Sequence, residues 1–498
     1  MGQASLQPDK ARAAGVSEPN PAPSLRRRSW SPRLRISERR VLLVGGDIAA
    51  NALAILIGLF LWAQRAGKAF TTEYLLQQGH WFLLLPLLWF LLASANDYYN
   101  LGVAAKFSRS AGRLIRIVIE VLAIYLLTFF LATPGTLPRR FIVYYAVASL
   151  ALIGAWRAAR IFLIGWTQSR RRAVILGGGP AAQLIWSALK EEASGDYETL
   201  GCVFSQETPD TAVAADVVPP QFCAAASLPA AVNAYGVAEI IIAYPGEIPG
   251  DIFQAMMSCY EQGVSIVAMP VLYEQITGRV PIEHVGSHLW TLVLPLEKRT
   301  VSFSLYLLIR RVFDAACALV GLLLFALLLP VLAIAIKLTS RGPVFYRQVR
   351  LGRGGRPFTL VKLRTMKRDA ENGHGVQWAS HRDSRITPIG GFLRRTRLDE
   401  APQLLNIIRG EMSLVGPRPE RPEFVERLER EIPFYRTRLA VDPGLTGWAQ
   451  VRYRYGSSTE DALRKLQYDL YYIRHQSLLL DLEILIRTVW TVLLFRGT

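Results

Sequence analysis

The sequence predicts a multi-domain membrane protein: a four-helix transmembrane bundle first, a Rossmann-like α/β domain next, and a re-entrant membrane helix leading into a C-terminal α/β domain. Three observations predict it. Of the 498 residues, 51% are hydrophobic and only 19% charged, too apolar for a soluble or a disordered chain. Four apolar runs crowd into the first third, and a fifth of 22 uncharged residues lies at 315–336. Between them, at 171–296, the composition turns soluble and strand and helix signals alternate. This length allows about three domains.

Residues 1–40 are polar and rich in Pro and Arg, the composition of a disordered segment. The first apolar run begins too late for a signal peptide, and no small-residue cleavage site follows it. The four spans are read at 41–63, 81–95, 114–132 and 141–165 within a domain of 41–165, since about 20 helical residues cross the hydrocarbon core. The second is short. Orientation follows from the Lys/Arg bias. Seven arginines from Arg26 to Arg40 precede the first span, Lys106, Arg109, Arg113 and Arg116 lie between the second and third, and Arg170, Arg171 and Arg172 follow the fourth. The opposite loops hold only Arg65, Lys68, Arg139 and Arg140. The N-terminus and everything after the fourth span are therefore expected in the cytosol. Cys202, Cys223, Cys259 and Cys317 have no metal-like spacing, which suits a reduced compartment.

In the α/β domain strands are expected at 173–176, 199–204, 239–243 and 265–269, with a helix over 182–192. Gly177, Gly179 and Ala182 fit a glycine-rich phosphate-binding turn. The second strand, however, runs into Ser205-Gln206 where a ribose-binding carboxylate is usual, with Glu207 late. Two readings stand: dinucleotide binding, or a domain that serves folding or dimerisation.

The fifth run is long enough to span. Arg310 and Arg311 flank one end, Lys337 and Arg341 the other, and Pro330 sits inside. Basic flanks on both sides favour a hairpin that dips into one leaflet and returns, with Pro330 at the bend; a fifth full crossing is the alternative. Residues 302–313 mix apolar and basic side chains as an interfacial helix does, so 301–341 forms the membrane-attached unit. Residues 478–495 carry Asp481, Glu483 and Arg487 and are expected to pack or lie at the interface.

The remaining stretch, 342–498, is dense in Gly, Pro, Arg and paired polar residues. Asp399 and Glu400 stand at an expected helix start, with Pro402 in the first turn and an apolar face over 404–408. Adjacent helical side chains point about 100° apart, so the pair is better suited to dividing labour than to sharing a proton: one carboxylate attacks, the other holds a divalent cation. Lys362, Arg364, Arg394 and Arg418 offer charge for a diphosphate. A purely structural reading is equally open, because Asp and Glu at a helix start are ordinary stabilisers. The net charge of +18 suits an anionic membrane surface and phosphate-bearing ligands, and by itself leaves nucleic acid open.

These blocks run in order: Gly342-Pro343-Val344-Phe345-Tyr346-Arg347-Gln348, Lys362-Leu363-Arg364-Thr365-Met366, Arg394, Leu398-Asp399-Glu400-Ala401-Pro402-Gln403-Leu404, Val415-Gly416-Pro417-Arg418-Pro419-Glu420 and Pro443-Gly444-Leu445-Thr446-Gly447-Trp448-Ala449-Gln450. From Gly342 to about Trp490 the sequence resembles the bacterial sugar transferases, the polyprenyl-phosphate hexose-1-phosphate transferases. The preceding spans and α/β domain resemble the large members of that family. The run from Arg418 to Phe424, with Tyr468 to Tyr472, looks like exopolysaccharide transferases of the EpsB type.

The resemblance implies a monotopic, mostly helical α/β catalytic domain on the cytosolic face of the bacterial inner membrane. Asp399 would attack the β-phosphorus of a UDP-sugar and release UMP, undecaprenyl phosphate would take the sugar-phosphate, and Glu400 would bind Mg²⁺. Pro417, Arg418 and Pro419 would help hold the nucleotide or its phosphates. The product would begin exopolysaccharide or O-antigen synthesis. Membrane lipid rather than nucleic acid would be the surrounding partner, and a homodimer is compatible with it. One departure is Leu329 before Pro330, where the family often has Ser. A membrane-bound NAD-dependent nucleotide-sugar oxidoreductase or dehydratase is the alternative, weakened by the missing Tyr-x-x-x-Lys; a non-catalytic scaffold would leave the Arg, Pro and carboxylate blocks unexplained.

Overall fold

The computed structural model describes residues 36–99, 107–131, 139–163, 170–203, 220–244, 246–284, 301–367, 385–453 and 458–493. Four long helices come first: α1 (Ile36–Arg65), α2 (Trp81–Ala95), α3 (Phe107–Leu131) and α4 (Arg139–Leu163). They bury one apolar cluster, with Leu59, Trp89, Ile117, Phe141 and Tyr145 at its centre. Leu83, Leu87, Ile119, Leu127, Val143 and Val147 stay exposed on the outside, as lipid-facing side chains would. Some of the polar groups inside are paired. Arg157 grips Asp47, and the Tyr145 hydroxyl donates to Asn51 at 3.0 Å. Val41–Arg65 and Arg140–Ala159 are long and apolar enough to cross a membrane, while Trp81–Ala95 is shorter. The expected ends at 132 and at 164–165 lie outside the described residues, as does the segment 1–35.

The α/β domain follows as β1 (Arg171–Leu176), α5 (Gly179–Glu192), β2 (Tyr197–Val203), α6 (Leu228–Tyr235), β3 (Glu239–Ile242), α7 (Gly250–Glu261), β4 (Ser265–Ala268) and α8 (Met269–Thr277). Its parallel sheet has the order β2-β1-β3-β4. Alternate residues of β1 feed opposite faces: Ala173 and Ile175 join one core with α5 and α8, Val174 and Leu176 another with α6 and α7. Gly177 and Gly179 make the turn into α5 with φ of +121° and +73°. The region of Ser205, Gln206 and Glu207 lies outside the described residues.

Next comes α9 (Val301–Thr339), one helix of 39 residues that runs through Pro330. The expected interfacial and hairpin segments therefore belong to one continuous helix. A proline removes one backbone hydrogen bond and bends a helix without necessarily ending it, and here the turns on both sides pack on one surface. Phe325 and Ile336 share a cluster with Leu363 and Leu393. The buried face of α9 includes Tyr306, Arg310, Asp314, Ala318, Phe325 and Ile336, a single stripe at helical spacing. Leu308, Val312, Leu319, Leu323, Leu327, Val331 and Ile334 are exposed opposite it.

The C-terminal domain begins with the antiparallel hairpin β5 (Phe345–Leu351) and β6 (Pro357–Leu363). It continues through α10 (Pro388–Arg395), a 3-10 segment Leu398–Gln403, α11 (Leu404–Arg409), β7 (Ser413–Val415) and α12 (Pro422–Glu431). Strand β8 (Gly444–Thr446) pairs parallel with β7, and α13 (Trp448–Arg452), α14 (Thr459–Arg474) and α15 (Leu478–Leu493) complete it. Its core of Ile407, Leu414, Val425, Leu470, Tyr472 and Ile484 also takes in Val280 and Ile282 from the end of the α/β domain. Contacts to the preceding units converge on α13–α15. Trp448 donates to the Gly278 carbonyl (3.2 Å), Arg474 and His475 meet Glu274 (2.9 and 3.0 Å), and Arg487 and Arg452 meet Asp97 (2.7 and 3.1 Å).

Candidate active site

Strand β6 carries Lys362 and ends at Leu363. Beyond it, the Thr365 carbonyl accepts from the Thr387 N–H at 3.0 Å, and Thr387 Oγ1 caps α10 by accepting from the Gly390 N–H at 3.1 Å. A Cβ on Gly390 would stand 2.0 Å from the Thr365 carbonyl oxygen, so only glycine lets α10 sit this close to the end of β6. From the last turn of α10, Arg394 donates to Thr365 Oγ1 at 3.0 Å.

The chain then turns at Arg397, whose φ of +60° is uncommon for a residue with a side chain, and enters the 3-10 segment bearing Asp399 and Glu400. The sequence placed the pair at an α-helix start. Pro402 has no N–H to give an α-type bond, and regular α-helix begins only at Leu404. In the tighter turn the two side chains stand about 120° apart. Both are buried, 7% and 6% exposed. Leu398 and Ala401 on the same segment pack into the cluster of Phe325 and Ile336, so the carboxylates stand directly on α9.

The two carboxylates have unequal surroundings. Glu400 Oε1 accepts from Lys362 Nζ at 3.1 Å and from the Arg418 guanidinium, and Oε2 faces Arg397 at 3.4 Å. Burial alone would raise its pKa, but Arg418, Lys362 and Arg397 hold it well below the usual range. Asp399 Oδ1 is buried with no hydrogen-bond partner among the described residues. Burial first, and the charge of Glu400 second, push this carboxyl up to about 6 against the opposing pull of Lys362, Arg394 and Arg418. One carboxylate is locked as an anion by three cations; the other is an under-satisfied acceptor beside them.

Arg418 is held from behind. A Cβ on Gly444 would lie 2.1 Å from the Gly416 N, a backbone crossing that lets β7 and β8 meet just before Pro417. The Gly444 N–H donates to the Pro417 carbonyl (2.9 Å), Arg438 Nη2 to that of Arg418 (3.1 Å), and Arg350 Nη1 to that of Pro419 (3.1 Å). Arg438 is itself buried against Asp469 at 2.9 Å.

The structure thus brings Asp399, Glu400, Lys362 and Arg418 together, with Arg394 acting on Asp399 by its charge. Pro417 and Pro419 contribute their carbonyls to holding the loop. One contact of the Arg364 side chain lies elsewhere: past the end of β6, its Nη2 donates to the Ser340 carbonyl at 2.7 Å, at the C-terminal end of α9. Arg397, Arg438 and Arg350 are additions that the sequence reading missed. Arg397, three residues before Glu400, was discoverable as an i,i+3 ion pair. The other two bridge long separations.

No cluster of three or more His, Cys, Asp or Glu side chains suited to a metal occurs among the described residues. Mg²⁺ needs fewer, because it typically keeps waters and binds through one or two carboxylates plus substrate phosphates. The unpartnered Asp399 Oδ1 beside the Glu400 carboxylate fits that sparse donor set.

Fold and site define a domain standing on a long apolar helix, with two buried carboxylates among lysine and arginine side chains. Residues 305–495 match the bacterial sugar transferase family, and residues 94–270 match a CoA-binding domain. The chain is 46% identical over 186 residues to the UDP-glucose:undecaprenyl-phosphate glucose-1-phosphate transferase of Caulobacter vibrioides, covering 37% of this chain and 69% of that protein. It is 38% identical over 247 residues to the UDP-N-acetylgalactosamine-undecaprenyl-phosphate N-acetylgalactosaminephosphotransferase of Aeromonas hydrophila, covering 50% and 56%. An exopolysaccharide production protein of Rhizobium leguminosarum is 39% identical over 188 residues, covering 37% and 94%. The chain belongs to the bacterial sugar transferase family. Its match spans little more than half the length of the Aeromonas relative.

Proposed function

We propose that this protein transfers a hexose-1-phosphate from a UDP-sugar to undecaprenyl phosphate, giving undecaprenyl-diphospho-sugar and UMP, as the first membrane step of exopolysaccharide or O-antigen synthesis. The observation that carries the reading is the Asp399–Glu400 pair, buried among Lys362, Arg394, Arg397 and Arg418 and seated on an apolar helix. Transfer of a phosphoryl group is largely a matter of positioning and charge. The cations receive the diphosphate. Asp399 attacks the β-phosphorus; its bond to the bridging oxygen breaks and UMP leaves with that oxygen. A sugar-phosphoryl-aspartate remains. An oxygen of undecaprenyl phosphate then attacks the same phosphorus, the acyl-phosphate bond breaks, and the Asp399 carboxylate is restored. Two steps let a water-soluble donor and a lipid acceptor use the site in turn. Glu400, with Asp399 beside it, would hold Mg²⁺, which supplies charge neutralisation at the diphosphate.

The reading extends to topology. Helices α1–α4 would form the transmembrane bundle of 41–165, followed by the α/β unit of 171–296 and the catalytic unit of 342–498 at the cytosolic face of the inner membrane. That both ends of α9 meet the same domain, Tyr306 through Asp481 and Ile336 through Leu363, supports a helix of 301–341 that enters one leaflet from the cytosolic side and does not cross. The relatives give the oxidoreductase alternative no support. The test is UMP release by the full chain in nanodiscs with Mg²⁺, undecaprenyl phosphate and a panel including UDP-glucose and UDP-N-acetylgalactosamine. Release with at least one donor, dependent on the lipid for turnover, is expected. No release with any UDP-sugar would reject the reading.

A further inference from the structure

Helix α9 carries charge where an apolar helix has no need of it. Arg310 and Asp314 are one turn apart and buried, and Ser413, 99 residues further along the chain from Asp314, lies between them. The Ser413 hydroxyl donates to Asp314 Oδ2 at 2.6 Å and accepts from Arg310 Nη2 at 2.7 Å and Nε at 3.1 Å. Arg310 Nη2 also donates to the Val415 carbonyl, and Asp314 Oδ1 accepts from the Leu414 N–H at 3.3 Å. Thus the whole of strand β7 is clamped to the helix. Three residues beyond its end the chain reaches Arg418, which meets Glu400. The neighbouring Arg311 donates to the carbonyls of Ile407 and Ile408 at 2.6 and 2.8 Å, at the end of α11, the helix that follows the carboxylates. Two adjacent residues of the membrane helix therefore hold the two segments whose meeting forms the site.

Apolar packing would secure a helix to a domain at no greater cost, since buried ionic groups seldom add stability over well-packed hydrophobic ones. What a fully satisfied network adds is one fixed geometry. We propose that Ser413, clamped between Arg310 and Asp314, is a positioning residue for the transfer: it fixes the strand from which Arg418 reaches Glu400, and so ties the site to the membrane helix. This rests on the transfer reading above.

The test is a double-mutant cycle on UMP release by the full chain in nanodiscs, with thermal unfolding recorded for each protein. Ser413→Ala should lower kcat/KM for the UDP-sugar by about 10- to 100-fold, the range usual for a lost supporting contact. Ser413→Thr, which keeps the hydroxyl, should recover most of it. In an Arg418→Lys background the same Ser413→Ala change should cost less than about 2-fold, because both act through one contact. Equal losses in both backgrounds would overturn the proposal, as would a silent Ser413→Ala. Should Ser413→Ala not fold, Arg310→Lys takes its place under the same criteria, since one ammonium cannot span Ser413 and the Val415 carbonyl together. A wild-type protein that releases no UMP would instead reject the transfer reading itself.

Discussion

Asp399 and Glu400 are chain neighbours with opposite electrostatic positions, and this separates their mutants. A carboxyl whose folded pKa is raised binds its proton more tightly when folded, so it weakens the fold as pH rises from the unfolded value toward about 6. Glu400 is the reverse: held low, it contributes stability above the ordinary carboxylate range and loses it as pH falls through its depressed value. Asp399→Asn should therefore melt no lower than wild type at pH 7 while activity falls by orders of magnitude. Glu400→Gln should lose about 1–3 kcal/mol, because three converging cations lose their shared anion. Wild-type activity should decline as pH drops through about 6 and Asp399 takes up its proton. Thermal melts and a pH–rate profile check all three. An Asp399→Asn enzyme that melts far below wild type would assign Asp399 to structure. At this scale the sequence was informative where partners are local: Asp399, Glu400 and the Arg418 loop sit in compact motifs. It was silent on Arg438 with Asp469 and Arg310 with Ser413, 31 and 103 residues apart, and on the contact of Arg364 with the Ser340 carbonyl. Strand alternation would put Lys362 and Arg364 on one face, but β6 ends at Leu363.

Elements were legible wherever one period dominated. The four parallel strands, the helix after the glycine turn and the apolar helices follow from alternation and runs of apolar residues. The 3-10 form of 398–403 did not, since it depends on Pro402 and on packing against α9. Nor did continuity through Pro330, because a proline signals a bend and cannot show what the turns on either side pack against. For α9 the outcome to test is its sidedness. Reporter tags after Arg172 and after Arg341 should both register the cytosol, as should a tag at the C-terminus. A periplasmic signal after Arg341 would make α9 a full crossing and place the catalytic domain outside.

At the scale of the molecule, the catalytic unit is not closed at residue 301. Val280 and Ile282 belong to its core, and Gly278 accepts from Trp448. A fragment of 301–498 should transfer sugar-phosphate, because every side chain of the site lies within it, yet melt several degrees below a fragment of 278–498. An inert but folded 301–498 fragment beside an active full chain would give the α/β domain a catalytic part. The Rhizobium relative, 94% of which lies within the match, is consistent with a unit that largely stands alone. Sequence composition marked where the soluble stretch began and ended, but could not show that its last residues pack into the next core.

The central claim is that Asp399 becomes covalently attached to the sugar-phosphate. The most direct measurement is mass analysis of wild-type protein incubated with UDP-sugar and Mg²⁺ in the absence of lipid acceptor. The account predicts a hexose-phosphate adduct mapped to Asp399, absent from Asp399→Asn, with UMP released in proportion to it. No adduct, and UMP appearing only once undecaprenyl phosphate is added, would mean that the acceptor attacks the donor directly and would contradict the two-step account.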